Sequence, residues 1–361
     1  RSLASELAFD KVSKLTAETL AELTAGLNRV NLMHVVHQAV KNGQTLTGSY
    51  VQAMKKELIE KECYGLLEFL EPKYSLDMVS GCDTAKQWLK EDARLVQEGK
   101  LDALPMGYLI CGPVGTGKTF LSQCYTGTIG IPCVKLLNFR SQWQGVTEGN
   151  WEKILNVLKA TGPVGVIIDE ADAAVGNRSS GGDSGTSARV FSQLASQMGD
   201  TRYRGKILWF LLTCRPDLLP VDLKRQGRCE VHIPLFYPAT PEDRLALFEV
   251  MSKKTGAKVA PEVLGDAARA TTHRMSGAEI EGLLIRARRR ALLGGHEEVR
   301  KEDLESELSA YLPPQYGEEI DLQIYAALAE CTDKRFLPAE YKDLDRSEVA
   351  RRLASLKQRW D

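Results

Sequence analysis

Gly112-Pro113-Val114-Gly115-Thr116-Gly117-Lys118-Thr119 is the stretch on which the reading of this chain turns. It fits G-x-x-x-x-G-K-T without a mismatch. An apolar run at 107–111 lies just before it and a helical pattern opens with Phe120-Leu121 just after it, the strand–loop–helix setting that the motif requires. Gly112, Gly115 and Gly117 free the backbone to turn its N–H groups inward, where they and the following helix N-terminus favour an anion. The whole loop, with Pro113, Val114 and Thr116, is therefore expected to wrap the phosphates of a nucleotide. Lys118 is expected on the β- and γ-phosphates and the Thr119 hydroxyl on Mg²⁺.

One strand–helix–strand stretch later, the apolar run 164–168 ends in Asp169-Glu170. At such a strand end Asp169 can support the metal's coordination shell, and Glu170, one residue on, can polarise an attacking water. Taken alone, an acidic strand end is an ordinary solvent-facing feature. Behind a phosphate loop it favours ATP hydrolysis over passive nucleotide binding, and it argues against a protein kinase, whose base sits in another motif.

Outward from these two motifs, short apolar runs at 107–111, 134–137, 164–168, 207–213 and 232–235 alternate with helical patterns. That alternation predicts an α/β fold, a P-loop NTPase sandwich around a mainly parallel sheet. The continuous apolar character of 164–168 and 207–213 suits central strands covered on both faces. From Pro241 the strand patterns stop and four helices are expected, the third opening at Ser276 with Glu279 three residues on, as in a capping box. This four-helix segment is expected as a lid subdomain. The first 70 or so residues read as helical, with a second helix from about 50 to 70, and two further helical stretches follow the Pro313-Pro314 break. The expected division is a helical accessory segment at 1–74, a nucleotide-binding α/β domain at 75–240, a helical lid at 241–310 and a C-terminal helical extension at 311–361. Residues 176–187, GNRSSGGDSGTS, have too little apolar area to order alone and are expected as a loop.

Composition narrows the function classes. Hydrophobic residues at 43% and charged residues at 26% are those of an ordinary globular protein, and a net charge of -1 gives no global field for nucleic acid. The 8 cysteines are scattered without a C-x-x-C pair, so a zinc ribbon or thioredoxin-like site is not expected and free thiols in a reducing compartment are. No apolar run approaches membrane-spanning length. The chain opens on Arg1 rather than Met, and a cytoplasmic location is the default expectation.

The phosphate loop, the Asp-Glu strand end and the four-helix tail resemble the AAA+ superfamily, and within it the AAA branch proper, over roughly residues 77–310. The resemblance implies further roles. Thr213-Cys214-Arg215-Pro216-Asp217 resembles the sensor 1 segment, with Cys214 where the family has Asn; a thiol is a weak donor, which bears on hydrolysis rate more than on binding. Thr213 is the alternative donor, although on a continuing strand its side chain points the other way. Leu223 to Glu230 resembles the box whose two arginines reach a neighbouring subunit's nucleotide, which makes Arg225 and Arg228 arginine-finger candidates, with Gln226 and Glu230 replacing the usual Pro and Asp. Ser276-Gly277-Ala278-Glu279 resembles the sensor 2 region, and Gly81 the segment on the other side of the adenine. Trp143, in Gln142-Trp143-Gln144-Gly145, takes the place of the first pore loop's aromatic, followed by Glu148 and Asn150; residues 176–187 coincide with the second pore loop.

The resemblance implies a homo-oligomer, a hexameric ring that threads or remodels a protein client with ATP and Mg²⁺. No HExxH motif is present, so any proteolysis would fall to a partner. Two other readings stay open: a slow nucleotide-dependent assembly factor, as in a contractile phage-tail-like apparatus, and a nucleic-acid motor. For the last, the basic cluster around Arg286 to Arg290 reads equally as the solvated face of a helix, and no clear nucleic-acid site is seen.

Overall fold

The computed structural model describes residues 13, 15–16, 20, 29–63, 65–137, 148–175, 186–271, 274–313 and 316–360. Its centre is a six-stranded sheet. The strands are β1 (Leu67–Leu70), β2 (Gly107–Cys111), β3 (Cys133–Leu136), β4 (Val164–Ile168), β5 (Ile207–Thr213) and β6 (Val231–Pro234), in the order β1-β3-β4-β5-β2-β6. All pairings are parallel except β1 with β3. Every residue of β2, β4 and β5 is buried, which is why these runs carry no polar alternation.

Helices cover both faces, as the α/β reading requires. On one face α5 (Glu148–Thr161) and α7 (Thr186–Met198) bring Trp151, Ile154, Leu158, Leu194 and Met198 onto Val166, Ile168, Trp209 and Leu211. On the other, α3 (Asp83–Gln97) and α4 (Lys118–Ile129) bring Leu89, Ala93, Leu121 and Tyr125 onto Tyr108, Ile110, Phe210 and Leu212. Within this second core the Tyr108 hydroxyl meets Asp92 at 2.8 Å and the Tyr125 hydroxyl at 3.0 Å, while its ring stacks on Phe210. Burial pushes the Asp92 carboxyl up to about 6 against the hydrogen bond from Tyr108.

Beyond the sheet, α9 (Pro241–Thr255), α10 (Pro261–Ala270), α11 (Gly277–Leu293) and α12 (Lys301–Ala310) pack around Phe248, Met275, Leu283, Leu284 and Leu304. Thr240 with Asp243 and Ser276 with Glu279 form complete capping boxes, fixing where α9 and α11 begin. One expectation fails here: the strands do not stop at Pro241. Two-residue strands β7 (Lys258–Val259) and β8 (Glu298–Val299) pair in parallel between the helices, too short to leave a period-two pattern.

A second correction concerns the N-terminal segment. The helices are α1 (Arg29–Lys41) and α2 (Gly48–Glu62), and α2 stops at Cys63 rather than running to 70. Gly65 turns the chain at φ 69°, and Leu67–Leu70 then joins the sheet edge as β1. Four residues with one charge, LEFL, carry too little periodicity to separate strand from helix. At the other end α13 (Gly317–Glu330) and α14 (Arg346–Trp360) lie against the sheet's β6 side: Thr332 Oγ1 accepts from His232 N, Lys224 pairs with Glu330, and Lys357 Nζ is 3.1 Å from Asp217 Oδ2. Among the described residues no helix is long and apolar enough to cross a membrane.

Candidate active site

The phosphate loop leaves β2, the strand beside the edge strand β6, and delivers the chain to α4. Its shape depends on missing side chains. Gly112 has φ 144°, and a Cβ there would lie 2.1 Å from the Leu235 carbonyl oxygen; Gly115 has φ 78°, and a Cβ there would lie 2.6 Å from Ser276 Cβ. The first closeness packs the loop on the end of β6, the second on the start of α11. Inside the loop, Thr116 Oγ1 donates to Pro113 O at 2.9 Å. Gly117 is the N-cap of α4, and Lys118 and Thr119 are its first residues.

The outer arm of the loop is held by two residues that sequence reasoning missed. Val114 N donates to Gln323 Oε1 on α13 at 2.9 Å, and Val114 O accepts from the Tyr237 hydroxyl at 2.7 Å. Burial first, then the charge of the nearby Glu279 carboxylate, pushes the Tyr237 hydroxyl up to about 12, so it stays a donor at neutral pH. Gln323 lies 209 positions from Val114. No local signal marks such a contact.

Lys118 Nζ has three partners: Gly112 O and Pro113 O at 2.8 Å each, and Cys214 Sγ at 3.2 Å. The structure thus brings Cys214, at the end of β5, against the loop lysine. Thr213 is turned elsewhere. Its hydroxyl is buried, donates to Asp172 Oδ1 at 2.5 Å and accepts from Arg215 N at 2.8 Å. On the adjacent strand end, Asp169 Oδ2 accepts from Thr119 Oγ1 at 3.3 Å and from Lys135 Nζ at 2.8 Å. Lys135, on β3, is a third residue the sequence reading passed over. Glu170 follows with φ 48°, an uncommon backbone state for a side chain of its size. Its N–H donates to Asp169 Oδ1 at 3.1 Å and its own side chain is exposed. Strain of this kind costs on the order of 1–3 kcal/mol and tends to sit where a side chain has a task.

Arg225 is exposed and 3.5 Å from Asp222 Oδ1. Arg228 is mostly covered, its Nη1 bound to the Asp222 carbonyl, and burial together with the charge of Arg225 presses its pKa downward. Glu230 closes this turn: its carboxylate takes a fork from Arg204 at 2.8 and 2.9 Å and the N–H groups of Met106 and Gly227. Burial alone would raise the Glu230 pKa, but the Arg204 fork and the two N–H donors outweigh it and hold it below the ordinary range. Gly277 and Ala278 open α11 directly beside Ser276, hence beside the loop at Gly115. Gly81 sits at φ 70° in the turn before α3, with no contact to the loop among the described bonds. Trp143 and most of residues 176–187 lie outside the described residues, as do the side chains of Glu148 and Asn150.

Residues 108–237 match the family model described as "ATPase family associated with various cellular activities (AAA)". Residues 108–237 form an AAA ATPase domain. Residues 1–64 match a second model, "AAA+ chaperone, second helical domain". Among curated relatives, the ATP-dependent zinc metalloprotease FtsH 2 of Salinibacter ruber is 29% identical over 71% of this chain and 37% of its own length. FtsH of Acidimicrobium ferrooxidans is 29% identical over 65% of this chain and 36% of its length, and FtsH of Pseudothermotoga lettingae 30% identical over 63% and 37%. The chain therefore spans little more than a third of these relatives.

The matched domain is of an ATPase family, and the donor set here fits ATP with Mg²⁺. The loop's turned backbone suits phosphate oxygens, and Thr119 Oγ1 with Asp169 Oδ2 forms the paired hard oxygen donors Mg²⁺ prefers. Among the described residues no group of three or more His, Cys, Asp or Glu side chains converges as a metal site of another type.

Proposed function

We propose that this AAA+ chain uses ATP hydrolysis to remodel or thread protein clients as a subunit of a homo-oligomeric ring, a hexamer. The observation that carries the reading is the meeting of Lys118, Thr119, Asp169 and Cys214 at adjoining ends of β2, β4 and β5. The loop backbone and Lys118 hold the phosphates, while Thr119 and Asp169 hold Mg²⁺, which when bound neutralises charge on the β- and γ-oxygens. Glu170 orients and deprotonates the attacking water. Arg225, exposed and only loosely tied to Asp222, serves the neighbouring subunit's nucleotide, and Arg228 supports it from within the same turn. Ser276, Gly277 and Ala278 close over one side of the base and Gly81 over the other. The relatives' names associate this kind of ATPase with proteolysis, which supports polypeptide as the client. Trp143 grips it in the pore.

The test uses the Glu170→Gln variant with ATP, and Trp143→Ala in the wild-type background. Glu170→Gln gathers into a six-subunit particle that retains an unfolded polypeptide; Trp143→Ala hydrolyses ATP but does not process that polypeptide. A Trp143→Ala protein that processes its client normally defeats the pore assignment, and a monomer under all nucleotide conditions defeats the ring.

The contact of Cys214 with Lys118 supports a second reading, a slow nucleotide-gated assembly factor. It requires a stoichiometric complex that survives many turnovers. Transient, catalytic client contacts count against it.

A further inference from the structure

Lys135 is a cation that neither the phosphate loop nor the acidic strand end requires. It lies on β3 opposite Ile167, two residues before Asp169 on β4, and its neighbours Val134 and Leu136 point into the core beneath α5. Lys135 therefore projects from the other face, the one that carries α4 and with it Lys118 and Thr119. Its ammonium is 2.8 Å from Asp169 Oδ2, the same oxygen that accepts from Thr119 Oγ1 at 3.3 Å. The pair is shielded, with side-chain exposures of 29% and 25%, so its attraction is only partly screened by water. No second acid is bonded to Lys135 among the described residues. Its whole charge is directed at the carboxylate on the metal side of the site.

Resting on the nucleotide-site reading above, we infer that Lys135 is a positioning residue for metal use: it competes with Mg²⁺ for Asp169 and makes nucleotide retention weakly dependent on Mg²⁺. Mg²⁺ bound through Thr119 and Asp169 needs the full charge of that carboxylate, directly or through a coordinated water. An ammonium hydrogen-bonded to the same oxygen neutralises it and adds a like charge beside the incoming divalent ion. The same ammonium supplies positive charge beside the phosphates when Mg²⁺ is scarce.

The experiment is the binding of a fluorescent ADP to the full chain as free Mg²⁺ is titrated from EDTA upward, for wild type, Lys135→Met, Lys135→Gln and Lys135→Arg. Wild type binds in EDTA within about threefold of its affinity in Mg²⁺, and Lys135→Met lowers the free Mg²⁺ at half-saturation by about tenfold, or about 1.4 kcal/mol. Lys135→Met also weakens binding in EDTA, whereas Lys135→Arg keeps the wild-type profile. Lys135→Gln carries the same test should the methionine variant fail to fold. An Mg²⁺ response unchanged in Lys135→Met, or a loss of affinity equal with and without Mg²⁺, overturns the inference. Failure of wild type to bind the nucleotide even in saturating Mg²⁺ defeats the underlying site assignment instead.

Discussion

Replacing Cys214 by Asn tests how the chemistry of one strand end governs turnover. The ammonium of Lys118 has three protons to donate. Two go to oxygens at 2.8 Å and the third to Cys214 Sγ at 3.2 Å. Sulfur is a weak partner on both counts, accepting poorly from Lys118 and offering a poor S–H donor to a phosphate oxygen. An amide in the same place accepts from Lys118 through Oδ1 and presents two N–H donors. A neutral donor on a charged oxygen contributes about 1.5–3 kcal/mol, which corresponds to a rise in kcat of about tenfold to a hundredfold if it is realised as charge moves in the transition state. Partial exposure at Cys214 leaves room for the larger side chain. The assay is steady-state phosphate release, with nucleotide affinity measured in parallel so that binding and turnover separate. Cys214→Ala serves as the control and stays within about twofold of wild type, since the thiol contributes little as a donor. A Cys214→Asn protein no faster than wild type, together with a Cys214→Ala protein that has lost most of its turnover, refutes the reasoning.

Three further predictions concern the scaffold of the site. Asp92, raised to about 6 by burial, disfavours the folded state whenever it is ionised, so its cost is present above pH 6 and is relieved as pH falls through 6 toward the ordinary carboxylate range. Asp92→Asn accordingly raises Tm at pH 8, by about 2–3 kcal/mol of stability, and the gain disappears near pH 4; a gain independent of pH contradicts this. Gly115→Ala places a Cβ 2.6 Å from Ser276 Cβ at φ 78°, and nucleotide affinity falls at least about tenfold while far-UV circular dichroism is retained. Glu230→Gln weakens the Arg204 fork and lowers stability by about 2–3 kcal/mol in denaturant titration; a loss below about 0.5 kcal/mol shows that the fork is dispensable.

What could be read from sequence follows the range of the interactions. The phosphate loop was legible because its glycines are demanded by local backbone geometry and their spacing is written contiguously. Strands β2, β4 and β5 were legible because burial on both faces leaves unbroken apolar runs. The capping box at Ser276 and Glu279 was legible for the same local reason. β1 was not, because LEFL suits either regular structure and only pairing with β3 decides. The β7–β8 pair was hidden by its length of two residues per strand. Within the site, Gln323 and Lys135 were illegible for another reason. An isolated Gln on a helix and a lone Lys on a strand look like surface residues until the fold sets one against Val114 and the other against Asp169. Thr213 and Cys214 are adjacent in sequence, and their division of labour follows from strand alternation: one faces Asp172, the other Lys118.

The proposed ATP hydrolysis depends on the phosphate loop and the acidic pair acting together. The decisive measurement is single-turnover ATP hydrolysis by Glu170→Gln beside wild type, with nucleotide occupancy determined on the same samples. Glu170→Gln keeps ATP affinity within about threefold of wild type and slows hydrolysis by at least about a hundredfold. Hydrolysis at the wild-type rate with ATP fully bound would contradict that dependence.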